Sequence, residues 1–181
     1  SCASPLEQLA KTSPTRLLEL SPSIEDDFKL APGFSSKVLI SWGDKINKAG
    51  DTFGFNNDYI AYIPLEGVKD EGLMWVNHEY VQPLFVSGHV IDDSYTRKTK
   101  EEATEEMKAV GGSIIHIKKQ NDQWVVNTDS PYNRRLDAFT PIPFSQGLEV
   151  YGSKTAIGTL ANCAGGITPV SYTHLTLPTK A

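Results

Sequence analysis

The chain has 181 residues, enough for one domain or part of one, and its 39% hydrophobic and 22% charged residues give a globular composition rather than a disordered one. The formal net charge is −5, and lysine and arginine are scattered singly or in short pairs with no basic stripe, which argues against a nucleic-acid partner. No uninterrupted apolar run approaches the roughly 18 residues that a membrane-spanning helix needs, and no secretory-type apolar leader is visible in a sequence that starts at Ser1.

Residues 1–30 read as a polar, proline-containing, extended lead-in with one short helical turn near Leu6–Lys11. Ser1-Cys2 has the form of the end of a bacterial lipobox, whose cysteine carries a lipid anchor; an ordinary N-terminal cysteine fits equally. Cys2 and Cys163 are too far apart in sequence to specify a disulfide. Ala31-Pro32-Gly33-Phe34 is a turn signal. A strand is expected over Lys37–Trp42, a second over Asp58–Pro64 and a third over Gly72–Asn77, the last two joined by the short charged link Glu66–Glu71. Thr99 and Glu102 form a capping box at the start of one helix, with Glu101, Glu102, Glu105 and Glu106 towards its N-terminal half and Gly111-Gly112 at its stop. Ser113–Lys119 and Trp124–Asn127, joined by the polar turn Gln120–Gln123, read as a β-hairpin. Leu148–Tyr151 and Ala156–Leu160 give weaker strand signals. Short strands with polar turns and one helix, without alternating βα units, point to a mainly β fold of propeller, sandwich or barrel type.

The final stretch from Val170 to Thr179 resembles one reading-frame translation of a sequencing-library adapter (GTC TCT TAT ACA CAT CTG ACG CTG CCG ACG), matching ten residues in order. The native part is therefore expected to stop at about Pro169, residues 170–181 to be a non-native tail, and His174 to carry no chemistry.

Two places in the remaining sequence suggest chemistry. Asn77-His78-Glu79-Tyr80 lies where an apolar strand reaches a rim, and a carboxylate with an imidazole there suits metal binding. Side chains alternate across a strand, so His78 and Glu79 cannot both face one ion unless the strand ends between them. Taken alone, a structural role for this run is the commoner case. Asn162-Cys163-Ala164-Gly165-Gly166 suggests a tight loop carrying a soft ligand or a nucleophile, although a lone buried cysteine is commoner. Asn57 and Asp58 offer hard oxygen ligands of the kind calcium takes, but they also suit any strand-entry turn, which is the preferred reading. Asn133-Arg134-Arg135 includes a pair of arginines able to hold a phosphate, but a solvated surface pair is the preferred reading.

Taken together and in this order, these stretches resemble the N-terminal part of the PhoX family of bacterial alkaline phosphatases (the DUF839 group). The resemblance covers Ala31-Pro32-Gly33-Phe34 with Val38–Asp44, Phe53–Tyr59, Val76–Val81, Glu106–Val126, Asn133–Arg135 and Gly158–Pro169. Its most specific motifs are Asn77–Tyr80 and Asn162–Pro169. The resemblance implies an incomplete β-propeller over residues 31–169, with a centre of calcium and iron, hydrolysing phosphomonoesters in the periplasm or at the cell surface. It makes Glu79 a carboxylate ligand and Cys163 a thiolate ligand to iron, and leaves His78 and Asn77, with Asn133, Arg134 and Arg135, to a supporting or substrate-binding role. In the family, Thr-Pro is followed by Trp-Gly-Thr and soon by a pair of glutamates. Val170 begins the adapter-like tail instead, so further acidic ligands are missing and the isolated chain is expected to be inactive. A phosphodiesterase, a lactonase-like metal enzyme or a non-catalytic binding propeller are the competing readings, and the cysteine argues mildly against the lactonase.

Overall fold

The computed structural model describes residues 20–90, 97–167 and the backbone of 173–175. Cys2 and the helical turn expected at Leu6–Lys11 lie outside the described residues. The chain divides into two compact units, Ser1–Val38 and Leu39–Ala181. Within the first, the expected turn forms: Phe34 N donates to Ala31 O at 3.1 Å.

The second unit is built on an antiparallel sheet. Its strands are β1 (Asn57–Pro64), β2 (Glu71–His78), β3 (Gly111–Gln120), β4 (Gln123–Val126) and β5 (Arg134–Leu136). The order is β1-β2-β3-β4, and β5 also pairs with β3. β4 takes Ile117–Gln120 of β3 and β5 takes Gly112–Ile114, so the two short strands share one edge of it. The β3–β4 connection turns through Asn121 (φ 50°) and Asp122 (φ 60°), two left-handed residues in succession, as a hairpin turn that matches strand twist requires.

Alternation decides which residues of the sheet face the core. Val76 of β2 and Ile115 and Ile117 of β3 join Ile46 and Phe53 in a buried cluster, with Leu39, Ile40, Met74 and Val126 packed against it. The predicted strand at Lys37–Trp42 is not a strand. Its Leu39 and Ile40 supply core contacts, but the chain turns immediately after them, with Ser41 N donating to Asp44 Oδ2 and Asp44 N to Ser41 O. β-branched and aromatic residues mark a surface to be buried, which an extended segment can supply without a ladder partner.

Among the described residues, two α-helices rather than one follow β2. The first, α1, is a single turn at Pro83–Val86. The second, α2, spans Lys100–Ala109 and carries the expected capping box: Glu102 N donates to Thr99 Oγ1 at 3.1 Å and Thr99 N to Glu102 Oε2 at 2.7 Å. That backbone hydrogen bond from Thr99 is the main cause holding the Glu102 carboxyl below its usual range. Beyond the main sheet, β6 (Pro141–Pro143) pairs with β7 (Thr155–Ile157), and β8 (Gly165–Ile167) with β9 (Thr173–Leu175). The strand expected at Leu148–Tyr151 reduces to an isolated bridge between Val150 and Ser153. β9 falls within the stretch that reads as adapter; its pairing involves main-chain groups, which any sequence carries. The architecture is mainly β, with no closed sheet among the described residues. Among those residues no helix is long and apolar enough to cross a membrane.

Candidate metal centre

Three segments distant in sequence meet where β1 begins and β2 ends. In β1, Asn57 pairs with His78 but Ile60 pairs with Val76, so Asp58 and Tyr59 together stand opposite the single residue Asn77. This is a β-bulge, a device that re-aims side chains at a strand end. Glu79 is the first residue past β2, and its N–H donates to Asn56 O at 3.1 Å, which carries the pairing one step beyond the strand. Cys163 sits in the loop before β8. Ahead of it, the buried Asn162 donates from Nδ2 to Gly111 O at 3.0 Å and accepts from Thr159 Oγ1 at 2.6 Å.

The ligand atoms of Asp58, Glu79 and Cys163 lie within 4.8 Å of one another. The donor set is two hard carboxylates and one soft sulfur. Hydrogen bonding to Asp58 first and Glu79 second, with smaller help from desolvation, pushes the Cys163 thiol up to about 11. With the carboxylates alone the sulfur keeps its proton; a cation among the three would reverse that balance and make it a thiolate. The residues therefore fit a metal ion.

The ending of β2 after His78 answers the alternation problem in a specific way. Glu79 lies on the same side of the strand line as Asn77, towards Cys163, whereas His78 turns to the core. His78 is wholly buried, with Nδ1 at 3.1 Å from Phe55 O and Nε2 at 2.7 Å from Ser113 Oγ, and stacks edge-on against Phe53. Burial foremost, then the charge of Arg135, lowers its pKa to about 3 despite the Phe55 contact. It is a strut that is uncharged near neutral pH, with both ring nitrogens held within the fold. Asn77, also fully buried, donates from Nδ2 to Cys163 O at 2.7 Å.

The family model for alkaline phosphatase PhoX matches residues 15–176. The chain belongs to the PhoX alkaline phosphatase family. Among solved structures it is similar to Pseudomonas fluorescens PhoX in complex with vanadate, a transition state analogue, at 27% identity and a TM-score of 0.62. The match covers 78% of this chain and 28% of that one, so the chain spans under a third of the length of the PhoX protein it resembles. No curated protein sequence matches the chain.

Of the other PhoX-like residues, Asn133 and Arg135 are taken up by the fold. Asn133 is buried, donating to Ile46 O at 2.6 Å and Asn127 O at 2.8 Å and accepting from His116 N at 2.6 Å. The Arg135 guanidinium donates to the carbonyls of Lys108, Ala109, Val110 and Gly112, which leaves its fork pointed at the end of α2 rather than at a phosphate. Arg134 is exposed, 3.5 Å from Tyr132 O. In the sequence Asp58 reads as a hard oxygen donor that also suits a strand-entry turn, the preferred reading. The signal was there, since two polar residues open an otherwise apolar strand, but the bulge that turns Asp58 towards Glu79 depends on the pairing register with β2.

Proposed function

We propose that this chain supplies Asp58, Glu79 and Cys163 to the metal centre of a phosphatase that hydrolyses phosphomonoesters. The convergence of three ligand-bearing side chains within 4.8 Å carries this reading. It is supported by membership of the PhoX family and by likeness to a relative whose structure holds vanadate, a mimic of the phosphoryl group in transfer. Calcium and iron are the ions proposed, because carboxylate oxygens suit calcium and a thiolate suits iron. When bound, such ions neutralise phosphate charge and favour in-line attack at phosphorus. The chain's own residues then have defined tasks. Asp58 and Glu79 hold negative charge at the rim, Cys163 gives up the proton on Sγ that the carboxylates otherwise keep there, and His78 stays neutral and fixes the end of β2.

The same proposal takes the five-stranded sheet as the start of a β-propeller, and the periplasm or cell surface as the place of action. Calcium takes six to eight oxygen ligands, and the cluster here offers two carboxylates. The isolated chain is therefore expected to bind a soft divalent probe but to turn over little substrate. Titration with Co²⁺ should give a thiolate charge-transfer band that disappears in Cys163→Ser. Hydrolysis of p-nitrophenyl phosphate by the metal-supplemented chain should stay near background. Absence of the band in the folded wild-type chain would count against the metal centre, and ordinary phosphatase turnover would count against the need for further ligands.

A further inference from the structure

Behind the cluster a short line of hydrogen bonds runs back into the sheet, to a residue that none of the motifs includes. Trp75 and Asn77 lie two apart on β2 and so project from the same face. Trp75 Nε1–H donates to Asn77 Oδ1 at 2.6 Å, and Asn77 Nδ2 donates in turn to Cys163 O at 2.7 Å. An indole is a donor only. It therefore dictates which way the Asn77 amide faces: oxygen to the ring, nitrogen to the Cys163 carbonyl. A flipped amide would set N–H against N–H and oxygen against oxygen. Asn77 is 0% exposed, so no solvent can repair that mismatch. The indole itself is confined, because its six-membered ring lies where a Cβ on Gly112 of β3 would have to be.

We propose that Trp75 is a positioning residue for the Cys163 thiol, acting through the Asn77 amide. It does not touch the cluster. It fixes the backbone of the loop from which Sγ meets Asp58 and Glu79, while Asn162 pins the same loop to Gly111 from the neighbouring residue. The placement of the loop stands without any metal; its importance for the metal rests on the function proposed above.

The test reads the loop directly. In a Cys2→Ser background, Cys163 is the chain's one thiol, and its rate of alkylation by iodoacetamide reports how firmly the loop is held. Trp75→Phe keeps an aromatic ring and removes the N–H; Asn77→Asp keeps the shape and sets an oxygen against the Cys163 carbonyl. Loss of one buried hydrogen bond should speed alkylation about fivefold in Trp75→Phe, and more in Asn77→Asp. The amides of β3 should keep their hydrogen-exchange protection. Rates within twofold of the parent in both variants would overturn the proposal. So would faster alkylation accompanied by an equal loss of protection throughout β3, since the indole would then support the sheet and not the loop. Co²⁺ binding to the same proteins separates the two ideas. A parent with no thiolate band defeats the metal reading and leaves the alkylation result to judge the role of Trp75.

Discussion

Cys163 is the residue whose chemistry depends most on its neighbours. A thiol with a pKa of about 11 is almost wholly protonated at neutral pH and reacts slowly, and the two carboxylates that make it so are the ones that would share a cation with it. Replacing Glu79 with Gln or Asp58 with Asn should therefore weaken metal binding while making the metal-free thiol more reactive, two effects of opposite sign that titration and alkylation can follow in one preparation. His78 makes a different prediction. Its pKa falls from 6.5 to about 3 on folding. Between these values the unfolded chain binds a proton that the folded chain refuses, so stability is full above about pH 6.5 and falls as the pH drops towards 3. The slope can reach about 1.4 kcal/mol per pH unit. Urea midpoints at pH 7 and pH 5 should differ in the wild type and differ less in His78→Asn, which starts from a lower stability. Gly111 has φ 104°, and the Leu136 carbonyl occupies the space a side chain would need, so Gly111→Ala should cost at least about 2 kcal/mol in urea denaturation.

At the level of elements, Arg135 joins parts that the backbone alone would leave loose. Its guanidinium caps the last carbonyls of α2 from β5 and reaches Gly112 of β3. Lysine is a point donor and cannot reproduce that fork, so Arg135→Lys should lose about 2 kcal/mol. Thr99→Ala, which removes one half of the capping box, should lose about 1 kcal/mol. Both losses would appear as lowered urea midpoints. These elements also show what sequence can and cannot convey. The capping box, β1, β2 and the β3–β4 hairpin were legible because local chemistry decides them: Thr99 and Glu102 meet within one turn, and polar residues fill the tight turn at Asn121-Asp122. Leu39 and Ile40 read as part of a strand, and their lack of a ladder was not legible, because a strand partner is a tertiary fact. Glu79 and Cys163 stand out in the sequence through their motifs, and the structure brings their ligand atoms together. The nearness of Asp58 to them and the hydrogen bond from Trp75 to Asn77 are not legible there, since both follow from register, one through a bulge and the other through its place two residues before Asn77.

At the scale of the molecule, many large apolar side chains of the described residues stay exposed. Tyr80, Leu84, Phe85, Val90 and Leu160 are each more than half exposed. A groove of about 440 Å³ runs between Tyr80, Met107, Val110 and Leu160, with Glu79 at its edge. Single exposed apolar residues are ordinary, but an open groove lined by apolar side chains is a place where an apolar dye can settle. The chain should therefore bind the dye ANS in its folded state, and Tyr80→Ser with Leu160→Ser, both lining the groove, should reduce that fluorescence while leaving the urea midpoint little changed. Unchanged fluorescence in the double variant would place the dye elsewhere.

The bulge at Asp58-Tyr59 has a genetic consequence. Because two residues there stand against one, deleting a single codon would let β1 and β2 pair without interruption. The sheet would lose nothing it needs for pairing, while the carboxylate aimed at Cys163 would be withdrawn. A one-codon deletion should thus separate folding from the meeting of Asp58 with Glu79 and Cys163, on which the proposed metal centre rests.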